Sequence, residues 1–346
     1  MKLLILDTRR GAHSADLFIL EKGASKINKI KLGYVPEFHY DQTKHQIVIV
    51  ETELRKDDLF ATKHWLKCLS ADNLEVILQK EIPERPMYSG YPGRSTRVKS
   101  SSSGRFLYFL ESTMHPTAIE VYRIKVHRYD YEKDEIQAGQ MNIDSCLVDF
   151  DQVGENEDEL YFHLSCEFPS VVAFGNFNSP EIEFLQLEKL PSRTHGPKET
   201  CGSWFSKNND ALYCINGEGS VYAVNTRSKS VQVLVRLLLE KGNSIPLHQI
   251  YGTDNNLLIG ISENVGERGL SLASQIWRID NISGELLDKI QLPFPVMNFI
   301  ITPDNQIIIG VSPFQRSVVL VELKSGRILG IKDEIGVSPA EVFAIP

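Results

Sequence analysis

The chain has 346 residues, 42% hydrophobic and 24% charged, which is ordinary for a globular protein, and its formal net charge is −8. The excess of acidic residues argues against a nucleic-acid-binding protein and against a polybasic membrane binder, because both need a surplus of Lys and Arg. No run of about 18 apolar residues is present, so the sequence predicts no membrane-spanning helix.

The chain begins with an apolar stretch that reads as a β-strand. MKLLILDTRR has a short apolar run followed by Asp7, Arg9 and Arg10. This run is too short for the core of a signal peptide, so we expect a cytoplasmic protein, or a periplasmic one if a leader was removed. Residues 2–32 contain three predicted strands.

Six segments with one common pattern follow, and they begin at Val35, Ser95, Ser145, Glu199, Leu247 and Val296. Each has four predicted strands joined by turns rich in Asn, Asp, Gly and Ser, such as Pro303-Asp304-Asn305 and Ser325-Gly326. The only helix-like stretch, VQVLVRLLLEKG, is predicted to be a fourth strand with an extended tail because it is rich in Val. Four-stranded repeats with a period of about 50 residues are typical of β-propeller blades.

The end of the chain, SPAEVFAIP, supplies one more alternating segment. A terminal strand without a neighbour would be an exposed edge, whereas residues 2–32 lack one strand of a blade. We therefore predict an all-β, seven-bladed propeller that forms a single domain over residues 1–346. Its seventh blade is predicted to combine residues 2–32 with residues 339–346, so that the two chain ends close the ring.

Three stretches resemble a known family of propellers. They are KIKLGYVPEFHYDQTKHQIVIVET, LKCLSADNLEVILQKEIPERPMYSGYPGRSTRVKSSSSGRFLYFLES and PTAIEVYRI. Their order resembles the heavy (large) subunit of methylamine dehydrogenase and aromatic amine dehydrogenase, including turns at Gly90–Pro92 and Met114–Pro116. The arm that precedes the propeller in that family has no counterpart here.

The resemblance implies that this chain carries no cofactor. In that family a separate small subunit holds a tryptophan-derived quinone, and the propeller positions it and walls the substrate channel. A small catalytic subunit is therefore one expected partner. Trp65, Trp204 and Trp277 are far apart in the repeat pattern and are predicted to be packing residues.

Five cysteines are present, and none forms a CxxC pair, so no zinc site is predicted. Taken alone, each cysteine is expected to be a small buried apolar residue. The resemblance implies a disulfide between Cys146 and Cys166, which would place the protein in an oxidising compartment such as the periplasm.

The blade pattern assigns the loops to two rims. Loops that join strand two to strand three, and strand four to the next blade, lie on the rim where propeller sites are usual; we call it the loop rim. The residues expected there are Arg9, Arg10, His13, Arg55, Tyr88, Tyr91, Arg94, His115, Arg193, His195, His248, Arg268 and Arg316. Arginine pairs carboxylates or phosphates, which favours a ligand or partner carrying such groups; the alternative is solvated loop charges in weak surface pairs. Lysines dominate the opposite, hairpin rim, with Lys44, Lys99 and Lys207.

The longest loops of the loop rim are residues 51–62, 84–95 and 263–274. The second is the best single candidate for recognition, since two tyrosines and an arginine there match the composition of binding hot spots. The alternative is a Gly-Pro turn whose tyrosines pack between blades. The residues predicted to bind a ligand or partner are Arg9, His13, Leu54, Arg55, Phe60, Tyr88, Tyr91, Arg94, Arg268 and Arg316.

Four residues are candidates for acid–base chemistry, namely His115, His195, Asp149 and Asp151. The histidines titrate near neutral pH, and the two aspartates alternate on a predicted innermost strand that faces the central tunnel. The alternative for the aspartates is a water-filled tunnel lining. No hydrolase, nucleotide-binding or zinc-protease signature occurs, and no metal site is predicted.

Two functions are compatible with these patterns. The first is a non-catalytic scaffold that binds another protein or a small molecule, either alone or as an oligomer. The second is a stand-alone enzyme that acts on a small molecule at the tunnel mouth, in a hydrolysis, a cyclisation or another biosynthetic step. A scaffold should expose an apolar patch near Leu54, Leu59 and Phe60, whereas an enzyme should show an enclosed pocket with a titratable group of perturbed pKa.

Overall fold

A computed structural model describes residues 2–7, 15–21, 28–55, 58–82, 98–114, 122–145, 147–153, 155–164, 171–187, 200–206, 210–216, 219–240, 243–246, 249–263, 272–337 and 339–345. These residues form strands, turns and connecting segments and contain no helix. In this part of the chain, therefore, no helix of a length and hydrophobicity suited to crossing a membrane is found.

The described residues form 28 β-strands. The strands of the first half are β1 (Lys2–Asp7), β2 (Ala15–Glu21), β3 (Asn28–Leu32), β4 (Tyr34–Asp41), β5 (Gln46–Arg55), β6 (Asp58–Ser70), β7 (Val76–Ile82), β8 (Val98–Ser100), β9 (Phe106–Met114), β10 (Tyr122–Asp130), β11 (Glu135–Ser145), β12 (Leu147–Gln152), β13 (Glu159–Leu164) and β14 (Val171–Asn176). The strands of the second half are β15 (Ile182–Gln186), β16 (Thr200–Ser206), β17 (Ala211–Asn216), β18 (Ser220–Asn225), β19 (Ser230–Arg236), β20 (Ile250–Gly252), β21 (Asn256–Ile261), β22 (Ala273–Asp280), β23 (Leu286–Val296), β24 (Asn298–Ile301), β25 (Ile307–Ser312), β26 (Ser317–Glu322), β27 (Ile328–Lys332) and β28 (Pro339–Ile345).

The strands form seven four-stranded antiparallel sheets, which are the blades of a propeller. Blade 1 is β4–β7, blade 2 is β8–β11, blade 3 is β12–β15, blade 4 is β16–β19, blade 5 is β20–β23 and blade 6 is β24–β27. Blade 7 has the order β28-β1-β2-β3, so its innermost strand comes from the end of the chain. The prediction that the two chain ends close the ring is thus confirmed.

The core lies between the blades rather than within them. The described apolar residues form seven buried clusters, one for each pair of neighbouring blades. All six residues of β17 are buried, because each face of that strand packs against a different blade. Such continuous burial explains why second strands read as uninterrupted apolar runs, while outermost strands such as β19 remain partly exposed.

The sequence also indicated local features that the structure contains. The valine-rich stretch that resembled a helix forms β19 and continues as a non-helical tail in which Leu238 is 91% exposed. The Ser-Gly turns place Gly284 and Gly326 at φ of 75° and 68°, the left-handed region that glycine adopts without strain. Trp277 and Trp204 pack in the cluster between blades 4 and 5.

Candidate functional site

Many of the predicted site residues lie outside the described residues. This holds for Arg9, Arg10, His13, Tyr88, Tyr91, Arg94, His115, Arg193, His195, His248 and Arg268, and for both cysteines of the implied disulfide, Cys146 and Cys166. For Leu54, Arg55, Leu59, Phe60 and Asp149 only the backbone is described. The roles assigned to these residues therefore remain predictions.

Asp151 lies on β12, the innermost strand of blade 3, as the sequence predicts. Its Oδ2 atom is 3.9 Å from Nζ of Lys99, which lies on the innermost strand of blade 2. Both side chains are largely buried, and Oδ1 accepts a hydrogen bond from the backbone N–H of Gln152 at 2.8 Å. The carboxylate predicted to face the tunnel therefore takes part in an ion pair that links two blades.

Arg316 lies in the turn between β25 and β26, which is a strand-two to strand-three connection as expected. Its Nε donates a hydrogen bond of 2.7 Å to the carbonyl of Gly336, in the segment that leads to β28. Arg316 also lines an open groove of about 390 Å³ together with Phe294 and Asp333. This hydrogen bond thus ties the Arg316 side chain to the segment that closes the ring of blades.

A buried pair of titratable groups lies between blades 1 and 2. Nε2 of His127 is 2.9 Å from Oε2 of Glu111, and the two side chains are 5% and 16% exposed. The imidazole stacks on Phe109 at 5.5 Å between ring centroids, on the face of blade 2 that packs against blade 1. The buried His64 lies on the facing strand β6, in register with Thr52 and Ile82.

His163 is a third buried histidine that the sequence does not single out. It lies on β13 opposite Val172, and neither ring nitrogen has a hydrogen-bond partner among the residues that the structure describes. Complete burial lowers the pKa of His163 from its ordinary value of 6.5 to about 3. The ring is therefore neutral at physiological pH and is enclosed rather than set in a cleft. Nothing distinguishes it in ELYFHL, where it follows three consecutive apolar residues.

Within the described residues, no group of three or more His, Cys, Asp and Glu side chains is placed to hold a metal ion. Cys68 and Cys214 are both buried. Burial raises the pKa of the Cys68 thiol to about 11, so this thiol is protonated at neutral pH.

An open groove lies between blades 3 and 4, on the hairpin rim. We call it the interblade groove, and its volume is about 1000 Å³. Three turns form it, namely the β12–β13 and β14–β15 turns of blade 3 and the β18–β19 turn of blade 4. Its floor is apolar, since Val153, Leu160 and Phe174 line it and each is buried.

Charged side chains surround this floor. Four glutamates line the groove, Glu155, Glu159, Glu181 and Glu183, together with the cations Arg227 and Lys229. Lys229 is paired with Glu183 and lies 5.6 Å from the centroid of the Phe174 ring. Arg227 is 2.7 Å from Oδ2 of Asp210, so both cations already have an acidic neighbour.

Two of the four glutamates differ from the others because their side chains have no partner among the described residues. The side chains of Glu155 and Glu181 are exposed and form no hydrogen bond or ion pair with any residue that the structure describes. Glu159, in contrast, accepts a hydrogen bond from Asn156 at 3.0 Å. The interblade groove therefore combines an apolar floor with a rim on which negative charge is in excess.

Comparison with known proteins gives the fold. No family model matches the chain, and no curated protein matches it. The periplasmic gluconolactonase PpgL of Pseudomonas aeruginosa is 12% identical with a TM-score of 0.66, over 100% of this chain and 99% of that chain. The chain is a seven-bladed β-propeller.

Two further solved structures are similar over most of their length. A putative 6-phosphogluconolactonase from Bacteroides fragilis is 11% identical with a TM-score of 0.64, over 100% of this chain and 98% of that chain. The β-propeller domain of Cps50 (Swd1) from Myceliophteria thermophila is 12% identical with a TM-score of 0.60, over 91% and 89%. At this level of identity the likeness extends to the fold alone.

Proposed function

We propose that this propeller is a non-catalytic binding scaffold that holds a partner protein. The observation that carries this proposal is the interblade groove, which is large, open to solvent and lined by an apolar floor and charged walls. Enclosed concave sites suit small molecules, whereas an open groove across two structural units suits a segment of protein. The propeller domain of Cps50 (Swd1) has the same fold.

The finer form of the proposal is that the chain resembles the large subunit of a quinone-dependent amine dehydrogenase. Its partner would then be a small subunit with its own tryptophan-derived quinone, and no cofactor would be bound by this chain. The support for this form is the resemblance of sequence order and turns described above.

A stand-alone enzyme is the second candidate, and the pair formed by His127 and Glu111 favours it. A carboxylate that hydrogen-bonds to an imidazole fixes the orientation of the ring, which suits a general base. The two similar gluconolactonase structures have the same fold, although this likeness does not transfer a reaction to this chain.

The experiment that separates these candidates is recovery of the tagged protein from its native host, followed by native mass spectrometry. A scaffold is expected to be recovered with a second polypeptide in stoichiometric amount, and a small subunit containing a quinone would identify the amine dehydrogenase form. Recovery of the chain alone would contradict the scaffold proposal. Activity on sugar lactones that is lost in His127→Gln but retained in His45→Gln, which changes an exposed histidine, would favour the enzyme.

A further inference from the structure

The apolar residues that line the interblade groove are fixed by tight packing between the blades. Leu160 and Phe174 are held from beneath by the cores between blades 2 and 3 and between blades 3 and 4. Gly175 continues the floor, and a Cβ atom there would lie 2.3 Å from Sδ of Met141 in blade 2. The backbone of blade 3 therefore closely approaches its neighbour, and the groove lies above a tightly packed base. Such a surface offers apolar contact without rearrangement of the propeller.

The walls determine which occupant this floor suits. The carboxylates of Glu155 and Glu181, which have no partner among the described residues, lie on the β12–β13 and β14–β15 turns. The β18–β19 turn also lines the groove. Cations supplied by an occupant could pair with the carboxylates of Glu155 and Glu181, since the two described cations of the groove, Arg227 and Lys229, already pair with other carboxylates. An acidic or strongly anionic segment would meet repulsion from the same walls.

We propose that the interblade groove binds an extended segment of a partner protein, in which lysine or arginine residues flank an apolar side chain. The apolar side chain contacts Phe174 and the partly exposed Ile182, and the cations pair with Glu155 and Glu181. This inference rests on the proposed scaffold function and names the chemistry of the partner. It also places the contact on the hairpin rim, opposite the loops that the sequence favours for recognition.

The test begins with selection of short random peptides displayed on phage, using the full-length propeller as bait. Enriched sequences are then synthesised with a fluorescent label and titrated by anisotropy against three proteins. These are the unmodified chain, the groove variant Glu155→Gln/Glu181→Gln, and the control variant Glu240→Gln/Glu285→Gln. The control removes the same charge from exposed glutamates outside the groove.

The inference predicts enrichment of peptides with lysine or arginine on both sides of an apolar residue. Their affinity should fall about tenfold in the groove variant, since two exposed ion pairs are lost, and should be unchanged in the control variant. Replacement of the apolar residue in the peptide by serine should also weaken binding. The affinity should decrease as salt is added, because exposed ion pairs are screened.

Four results would overturn the inference. Enrichment of neutral or acidic peptides, or equal affinity for the groove and control variants, would rule out a basic segment as the occupant of the groove. The proposed scaffold function would not be affected by either result. Displacement of the peptide by spermine, together with no effect of the serine replacement, would assign the groove to a small polycation instead. Failure to enrich any peptide would count against both the inference and the scaffold function.

Discussion

Leu4 of the first strand lies directly opposite Phe343 of the last strand in the antiparallel pair of β1 and β28. The Phe343 ring in turn meets Phe38 of blade 1 edge to face, with 4.3 Å between ring centroids. The last strand therefore joins the first strand in one sheet and contacts the next blade as well. The ring is closed by apolar packing between chain ends as well as by backbone hydrogen bonds.

Truncation of Leu4 tests this closure. Leu4 is completely buried, and the change Leu4→Ala should lower the free energy of unfolding by about 2–5 kcal/mol, because it leaves a cavity at the junction of three strands. The control is Leu286→Ala, which alters a leucine that is 40% exposed on the outermost strand of blade 5. Urea denaturation of the two variants should give a clearly lower midpoint for Leu4→Ala only. Equal midpoints would contradict a closure that depends on this packing.

Two glycines offer a matched test of backbone geometry. Gly284 has φ of 75°, and a Cβ atom there would lie 2.5 Å from the carbonyl oxygen of Leu234. Gly330 has nothing within 4 Å of such an atom. Gly284→Ala should therefore lower the free energy of unfolding by about 1–3 kcal/mol, whereas Gly330→Ala should leave it unchanged or slightly raised. Chemical denaturation measures both, and similar losses in the two variants would disprove the assigned turn.

The fold could be predicted because its signals are local. Strand alternation and the Asn, Asp, Gly and Ser turns occur within each repeat of about 50 residues. Residues 2–32 contain three predicted strands, so the end of the chain is expected to supply the fourth strand of blade 7. The interblade groove could not be predicted in the same way. Its walls come from three turns in two blades, and Glu183 and its partner Lys229 are 46 residues apart in the chain. Contacts between blades depend on how neighbouring sheets are placed, and the sequence pattern within one blade does not determine this placement.

The candidate chemistry was only partly accessible from the sequence. Asp151 was assigned to an innermost strand correctly, but its pairing with Lys99 arises from the contact of two blades. The sequence does not single out His127 and Glu111, because His127 is one polar residue in an alternating strand and Glu111 follows an apolar run typical of a second strand. Register places the two side chains on the same face, since His127 pairs with Phe109 and Glu111 lies two residues further along β9.

His163 should make the stability of the propeller depend on pH. Its pKa is near 3 in the folded state but near 6.5 once the ring is exposed, so the unfolded state binds the proton more readily. The contribution to stability is therefore complete above about pH 6.5 and is lost as the pH falls, by at most about 1.4 kcal/mol per pH unit.

The variant His163→Leu isolates this effect. Replacement of an unpartnered buried polar ring by an apolar side chain removes the proton linkage and the cost of the unsatisfied nitrogens. Urea denaturation at neutral and mildly acidic pH should show the variant gaining stability over the unmodified chain as the pH falls. A difference that stays constant over this range would show that His163 does not titrate as described.

The pair formed by His127 and Glu111 should be energetically coupled. A double-mutant cycle with His127→Gln and Glu111→Gln should yield a coupling of about 0.5–3 kcal/mol, since the two groups are in contact and mostly buried. The exposed pair of Lys133 and Glu135, 3.9 Å apart, provides the comparison and should show no measurable coupling. If the buried pair shows no coupling, the enzyme candidate loses its support from the contact of His127 and Glu111.

Site-specific photocrosslinking tests the binding scaffold most directly. A photoreactive amino acid is placed at Ser179, in the interblade groove, and in a second protein at Gln315, in the groove of the loop rim that Arg316 lines. Both proteins are irradiated in the native host, and the crosslinked peptides are identified by mass spectrometry. We expect Ser179 to capture a basic segment of one partner protein and Gln315 to capture none. Crosslinks at Gln315 alone, or at neither position, would contradict binding through the interblade groove.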